Sequence, residues 1–245
     1  MKSWNDPHSP WGKQLRFDDT EFEAMMDELR SRTGDRNCFT PGKGIDVDLV
    51  LLRNERIEAD YLDLPAGILG RTIFSEDGSA RVEISRTLSD AAEHDRIARR
   101  RLRTTAAHEC GHITCHRGLF IRDTETYSLF DDSLGLTTTM NRKPIMCRPE
   151  GIGDVQYAGE WWEYQANQCM AALLLPRSLV STVVRSRLAD GGFKSGDDCV
   201  RAGSGEKLVR DVAEEFDVSQ TATFYRLQKL GFIARGQQSM MQLTD

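Results

Sequence analysis

Several things are scarce or missing in this chain of 245 residues, and each absence narrows the reading. No stretch approaches the ~18 consecutive apolar residues of a membrane span. The densest apolar run is Ala171 to Leu175, so no membrane contact is expected. The opening residues, Met1 to Pro7, lack the apolar core of a secretory signal. Six cysteines, at 38, 110, 115, 147, 169 and 199, include no C-x-x-C pair. Without an export signal they should be reduced thiols, and the cytoplasm is the expected compartment. There is no cationic excess either: 32 Lys and Arg face 38 Asp and Glu, a net charge of −6. That balance argues against general nucleic-acid affinity.

What remains is a globular composition, 39% apolar and 29% charged. Its length suits one medium core plus a small accessory module. Histidine is rare, with five in all, yet three fall between positions 108 and 116. They include His108-Glu109-Cys110-Gly111-His112, an H-E-x-x-H pentapeptide in a segment that otherwise reads as helix. Residues four apart share a helical face. His108 and His112 can therefore aim at one point, flanked by Glu109. This suits Zn²⁺ held by two imidazoles, with a carboxylate beside its water.

A catalytic zinc needs a third protein ligand and an open position. The stretch from Trp161 to Leu175 has apolar residues at helical spacing, and Pro176 closes it. Glu163 and Asn167 share one face there. A carboxylate near a helix start also suits the helix dipole; the upstream H-E-x-x-H favours reading Glu163 as the ligand. Asn167 would then orient a ligand from behind. His116 reads as a structural histidine, with a proton-handling role as the sharper alternative. Cys115 lies two turns beyond His108 and reads as core.

H-E-x-x-H followed by E-x-x-A-N and a run ending L-L-x-P resembles the ImmA/IrrE family of metallo-endopeptidases, with the pattern running from Ile45 to Pro176. The resemblance implies a gluzincin-like zinc site: His108, His112 and Glu163 as ligands, Glu109 as general base. It also implies a protein substrate, a helix-turn-helix transcriptional repressor. Cys110 stands where the family often has leucine, and the interval from His112 to Glu163 is long for the family.

Taken in order, residues 1–17 read as loosely ordered. Asp19 or Thr20 is the expected cap of a short helix through Arg32, ended by Thr33-Gly34. Residues 1–44 form an N-terminal tail and helix, and 45–190 the metallopeptidase domain. Asp46 to Arg53 fits strand or helix; the resemblance favours helix. Strands are expected at Ile57–Leu62, Gly70–Phe74 and Arg81–Ser85, with Asp77-Gly78 marking a hairpin. The active helix should start near Ser89-Asp90. Its Arg96, Arg99, Arg100, Arg101 and Arg103 read as a solvated basic face offsetting acids elsewhere, or as a docking strip for an acidic segment of a substrate protein. Residues 117–160 read as a functional loop. Tyr157, Tyr164 and Arg148 are candidates to steady an oxyanion.

Residues 191–205 read as a linker, and 206–245 as a helix-turn-helix-like module turning at Asp217-Val218-Ser219. That module holds six basic and six acidic side chains over residues 200–245, so DNA contact is weakly supported. The expected fold class is α+β: a small sheet packed on a zincin-like helix, with further helices. The expected function is a zinc-dependent endopeptidase. Zinc lowers the pKa of its water from roughly 16 to about 7, and Glu109 takes and returns the proton. Mn²⁺ is the alternative ion. The rival readings are a metal-binding transcriptional regulator acting through the C-terminal module, and a control protein acting by association alone.

Overall fold

The computed structural model describes residues 2–6, 12–34, 42–75, 77–120, 145–147, 160–190 and 202–233. Its class is α+β, with two small sheets and eight helices among the described residues.

The chain opens on a two-stranded antiparallel ribbon, β1 (Lys2–Asn5) and β2 (Lys13–Arg16), in the register Ser3 to Leu15. This corrects the expectation of a loose N-terminus: Leu15 is buried and anchors the ribbon. Helix α1 (Asp19–Thr33) is capped by Asp18 rather than by Asp19 or Thr20. The Asp18 carboxylate accepts from the Glu21 backbone N–H and the Glu21 side chain accepts from Asp18 in return, a reciprocal capping box. Gly34, in the left-handed region, ends α1. Helix α2 (Val47–Glu55) is capped by Asp46, so the ambiguous segment is helical.

Strands β3 (Asp60–Leu62), β4 (Gly70–Phe74), β5 (Ala80–Ser85) and β6 (Ile145–Cys147) form one sheet in the order β3-β5-β4-β6. β3 runs parallel to β5, and β4 runs antiparallel to both neighbours. The Asp77 side chain accepts from the Ser79 backbone N–H and hydroxyl to close the β4–β5 turn.

Two helices follow where one was expected. α3 (Arg86–His94) is capped by Ser85, and α4 (Arg96–His116) by Asp95. The Asp95 carboxylate accepts the Ile97 N–H at 3.0 Å. The helical pattern runs on through this point in the sequence, which hides the break. Leu88, Ala92 and Ala98 pack together across it. α5 (Trp161–Leu174) lies against α4 and α1, and Pro176 separates it from α6 (Arg177–Asp190) at a bend of 56°. Among the described residues no single helix is long and apolar enough to cross a membrane.

α7 (Ala202–Phe216) begins four residues before Glu206, where the module was expected to start. Glycines at 203 and 205 lower helix propensity by about 1 kcal/mol each, so the stretch reads as linker. Burial of Leu208, Val209, Val212 and Phe216 overrides that preference. The rest of the linker, residues 191–201, and the tail beyond Ile233 lie outside the described residues. After Asp217 and Val218, Ser219 caps α8 (Gln220–Lys229). One apolar cluster joins Met26 of α1, Ile113 of α4, Leu173 of α5, Val212 of α7 and Phe224 of α8.

The arginines of α4 have an acidic partner inside the chain. Asp217 lies 3.2 Å from Arg96, 2.9 Å from Arg100 and 3.1 Å from Arg103. Glu214 adds contacts to Arg96 and Arg100. The reading of a basic face offsetting acids elsewhere thus holds for these three, with Arg96 exposed, while Arg100 and Arg103 are drawn in from solvent. Asp217 has φ 49, a left-handed value that costs a non-glycine residue about 1–3 kcal/mol unless its surroundings enforce it. The three guanidinium groups do so.

Candidate metal centre

α4 and α5 meet closely because Gly111 carries no side chain. A Cβ there would stand 2.8 Å from the Ala166 carbonyl oxygen and 3.0 Å from Cys169 Cβ. That approach brings the first turn of α5, with Glu163, to the two histidines of α4. Cys110, Cys115 and Cys169 are buried behind this contact as free thiols.

The three ligand atoms expected from the sequence converge. His108 Nε2 lies 3.0 Å from Glu163 Oε2, His112 Nε2 lies 3.4 Å from Glu163 Oε1, and the two Nε2 atoms are 2.9 Å apart. Tetrahedral zinc, with bonds of about 2.0–2.1 Å, sets its ligand atoms about 3.3–3.4 Å apart. The two contacts of Glu163 use different oxygens; with one ligand atom taken from each residue, the three lie within 4.8 Å of one another, close enough to share an ion. Both rings are fully buried, and the Glu163 side chain is 19% exposed.

Asn167 stands behind His108, as its spacing from Glu163 suggested. Its Oδ1 accepts from His108 Nδ1 at 3.0 Å, so the proton sits on Nδ1 and the Nε2 lone pair faces the centre. A second chain of contacts backs His112. His112 Nδ1 is 3.1 Å from His116 Nδ1, and His116 Nε2 is 3.1 Å from Gln165 Oε1. His116 is fully buried; burial, then repulsion from His112, pushes it down to about 3. It is therefore a neutral ring packed behind a ligand.

Two imidazole nitrogens and a carboxylate are brought together where burial shields them from water, a group that could hold a cation. Burial lowers His108, but the hydrogen bond and charge of Glu163 outweigh it and leave that ring raised. Burial works against ionised Glu163 too, yet the neighbouring His112 and His108 hold its carboxyl well below the usual range.

Glu109 is fully buried, and burial pushes its carboxyl up to about 7 against the opposing pull of His108 and Thr72. The Thr72 hydroxyl of β4 donates to Glu109 Oε2 at 2.5 Å. Oε1 is buried with no hydrogen-bond partner among the described residues. Such an orphan is rare in a folded protein and marks a place for a missing polar group. Gly70 gives the carboxylate its room: a Cβ there would lie 2.9 Å from Oε1.

The donor set of two imidazoles and one carboxylate, with its supporting hydrogen bonds and the orphaned oxygen beside it, fits a divalent cation. The geometry brings together His108, Glu109, His112 and Glu163. Sequence reasoning missed Thr72, Gly70 and Gln165, which reach the site only through tertiary contacts. Among the oxyanion candidates, Tyr164 sits beside Glu163, partly exposed, while Tyr157 and Arg148 lie outside the described residues. Neither the scan against protein-family models nor the search of curated proteins finds a match for this chain.

Proposed function

We propose that this chain is a metal-dependent endopeptidase, with His108, His112 and Glu163 as ligands and Glu109 as general base. The observation that carries the reading is the convergence of three candidate ligand atoms within 4.8 Å of one another, beside a carboxylate oxygen with no hydrogen-bond partner among the described residues. A divalent cation bound there, Zn²⁺ or Mn²⁺, would polarise a scissile carbonyl and make water nucleophilic at neutral pH. Thr72 holds one oxygen of Glu109 and leaves the other to take a proton from water and pass it to the leaving amine. Asn167 keeps the His108 lone pair directed at the cation.

The zincin-like layout of the reading draws support from α4 lying against β4, with Thr72 of the strand touching Glu109 of the helix. The ImmA/IrrE resemblance supplies the substrate class, a helix-turn-helix repressor. α7, the turn at Asp217 and α8 make up the proposed helix-turn-helix module. Its two α8 cations have internal partners: Arg226 bonds the Leu175 carbonyl and Glu23, and Lys229 pairs with Asp19. This favours a docking or structural role for α8 over DNA reading. The second reading, a metal-binding regulator without proteolysis, draws on the Arg96, Arg100 and Arg103 contacts that join Asp217 to the ligand-bearing helix.

The test is incubation with the repressor encoded beside the gene, with and without zinc. A discrete fragment that appears only with metal, and that the Glu109→Gln variant fails to make, supports the peptidase. An intact repressor after incubation with the zinc-loaded native protein contradicts it.

A further inference from the structure

His116 and Gln165 lie outside the ligand set, yet their hydrogen bonds leave a single consistent arrangement of protons. Gln165 of α5 donates its amide Nε2 to the Leu15 carbonyl of β2 at 2.6 Å. A backbone carbonyl can only accept, so this contact fixes the amide the right way round. Its Oε1 then faces His116 Nε2 at 3.1 Å and must accept from it. A neutral imidazole carries one N–H. With that hydrogen on Nε2, the Nδ1 of His116 is a lone pair, and it lies 3.1 Å from His112 Nδ1. Two lone pairs cannot face each other there, so His112 donates from Nδ1. Its Nε2 is left bare, aimed at the triangle shared with His108 and Glu163.

We infer that Gln165 and His116 are positioning residues which, anchored on the Leu15 carbonyl, hold His112 in the one tautomer able to bind a cation. The relay crosses three elements, β2, α5 and α4, and each donor–acceptor choice follows from the one before. Reversing any link, by turning the amide or moving the His116 proton to Nδ1, puts a hydrogen on His112 Nε2 and blocks the site. The ribbon at the N-terminus thereby becomes part of the centre's support, about 100 residues before the ligand it serves. The inference rests on the metal reading for its purpose, but the proton arrangement can be read without any metal.

The experiment has two arms. In the first, long-range ¹H–¹⁵N spectra of the metal-free native protein assign the ring nitrogens. The expected result is a protonated Nδ1 and bare Nε2 on His112, with the reverse on His116. In the second, zinc affinity is measured by competition with a chromophoric chelator for the native protein and for Gln165→Met, a near-isostere with no donor and only a weakly accepting sulfur. The variant should bind about 10–100-fold more weakly, the usual cost of losing a hydrogen bond behind a ligand, and His112 should show a mixture of tautomers. A native His112 protonated on Nε2, or a folded Gln165→Met with unchanged affinity, overturns the inference. If Gln165→Met fails to fold, the first arm still decides. Tautomers as assigned in a native protein that binds no zinc would support the relay and sink the metal reading instead.

Discussion

Thr72 Oγ1 lies 2.5 Å from Glu109 Oε2, on a strand opposite the helix that carries the glutamate. The contact ties the proposed base to the sheet and sets which of its two oxygens is free. Replacing Thr72 by Val keeps the shape and removes the donor. Loss of positioning of this kind costs on the order of 10²-fold in rate, while the metal ligands are untouched. Cleavage assays on Thr72→Val should show that fall with zinc affinity preserved. Glu109→Gln should go further, losing the about 10²–10⁴-fold a general base supplies.

Gly70→Ala tests the space around that carboxylate. The added methyl would meet Glu109 Oε1 at 2.9 Å and Thr105 Cγ2 at 2.7 Å, both buried. Overpacking of this kind costs about 1–3 kcal/mol. The variant should unfold at lower denaturant and lose activity together; full stability with full activity would mean the carboxylate has more room than the contacts allow.

Gly111→Ala acts on the helix contact itself. Its methyl would push against the Ala166 backbone, moving α5 and Glu163 away from the histidines. Zinc affinity measured by titration should fall even in a variant that remains folded. Unchanged affinity would separate the helix spacing from the ligand geometry.

Acid should weaken the docking of α7 and α8. Burial alone would raise the Asp217 carboxyl, but hydrogen bonds from Arg100 and Arg103 hold it below its ordinary 3.8. A carboxyl with a lowered folded pKa stabilises fully above its unfolded value and loses that contribution as pH falls through the folded one. The contribution of Asp217 should therefore be flat from neutrality to about pH 4 and decline below it. Asp217→Asn leaves buried Arg100 with only the half-exposed Glu214 as charge partner, a change that costs up to about 3 kcal/mol. Urea unfolding at pH 6 and pH 3 should show a large gap between native and variant at the first value and a smaller one at the second.

Much of the centre is legible in the sequence because its parts lie on helices. The i, i+4 rule alone pairs His108 with His112 and sets Asn167 one turn from Glu163. Illegible were the contacts that depend on how distant segments meet. Thr72 reaches Glu109 across 37 residues, and Gln165 reaches Leu15 across 150; no local pattern encodes either. Local signals also misled where packing outweighed them. Gly203 and Gly205 read as linker, yet the buried face of α7 keeps them helical. Asp95, a cap inside a continuous helical pattern, was hidden by the arginines that follow it. Which acids those arginines offset was not legible, because Asp217 lies more than 110 residues away.

The most direct test of the shared cation is calorimetric titration of zinc into the metal-free native protein and into Glu163→Gln. The account predicts one ion per chain for the native protein. For the variant it predicts an affinity lower by more than the about 10–100-fold that a lost supporting hydrogen bond would cause. Equal affinity in the two proteins would contradict it, because the carboxylate on α5 would then have no part in holding the metal.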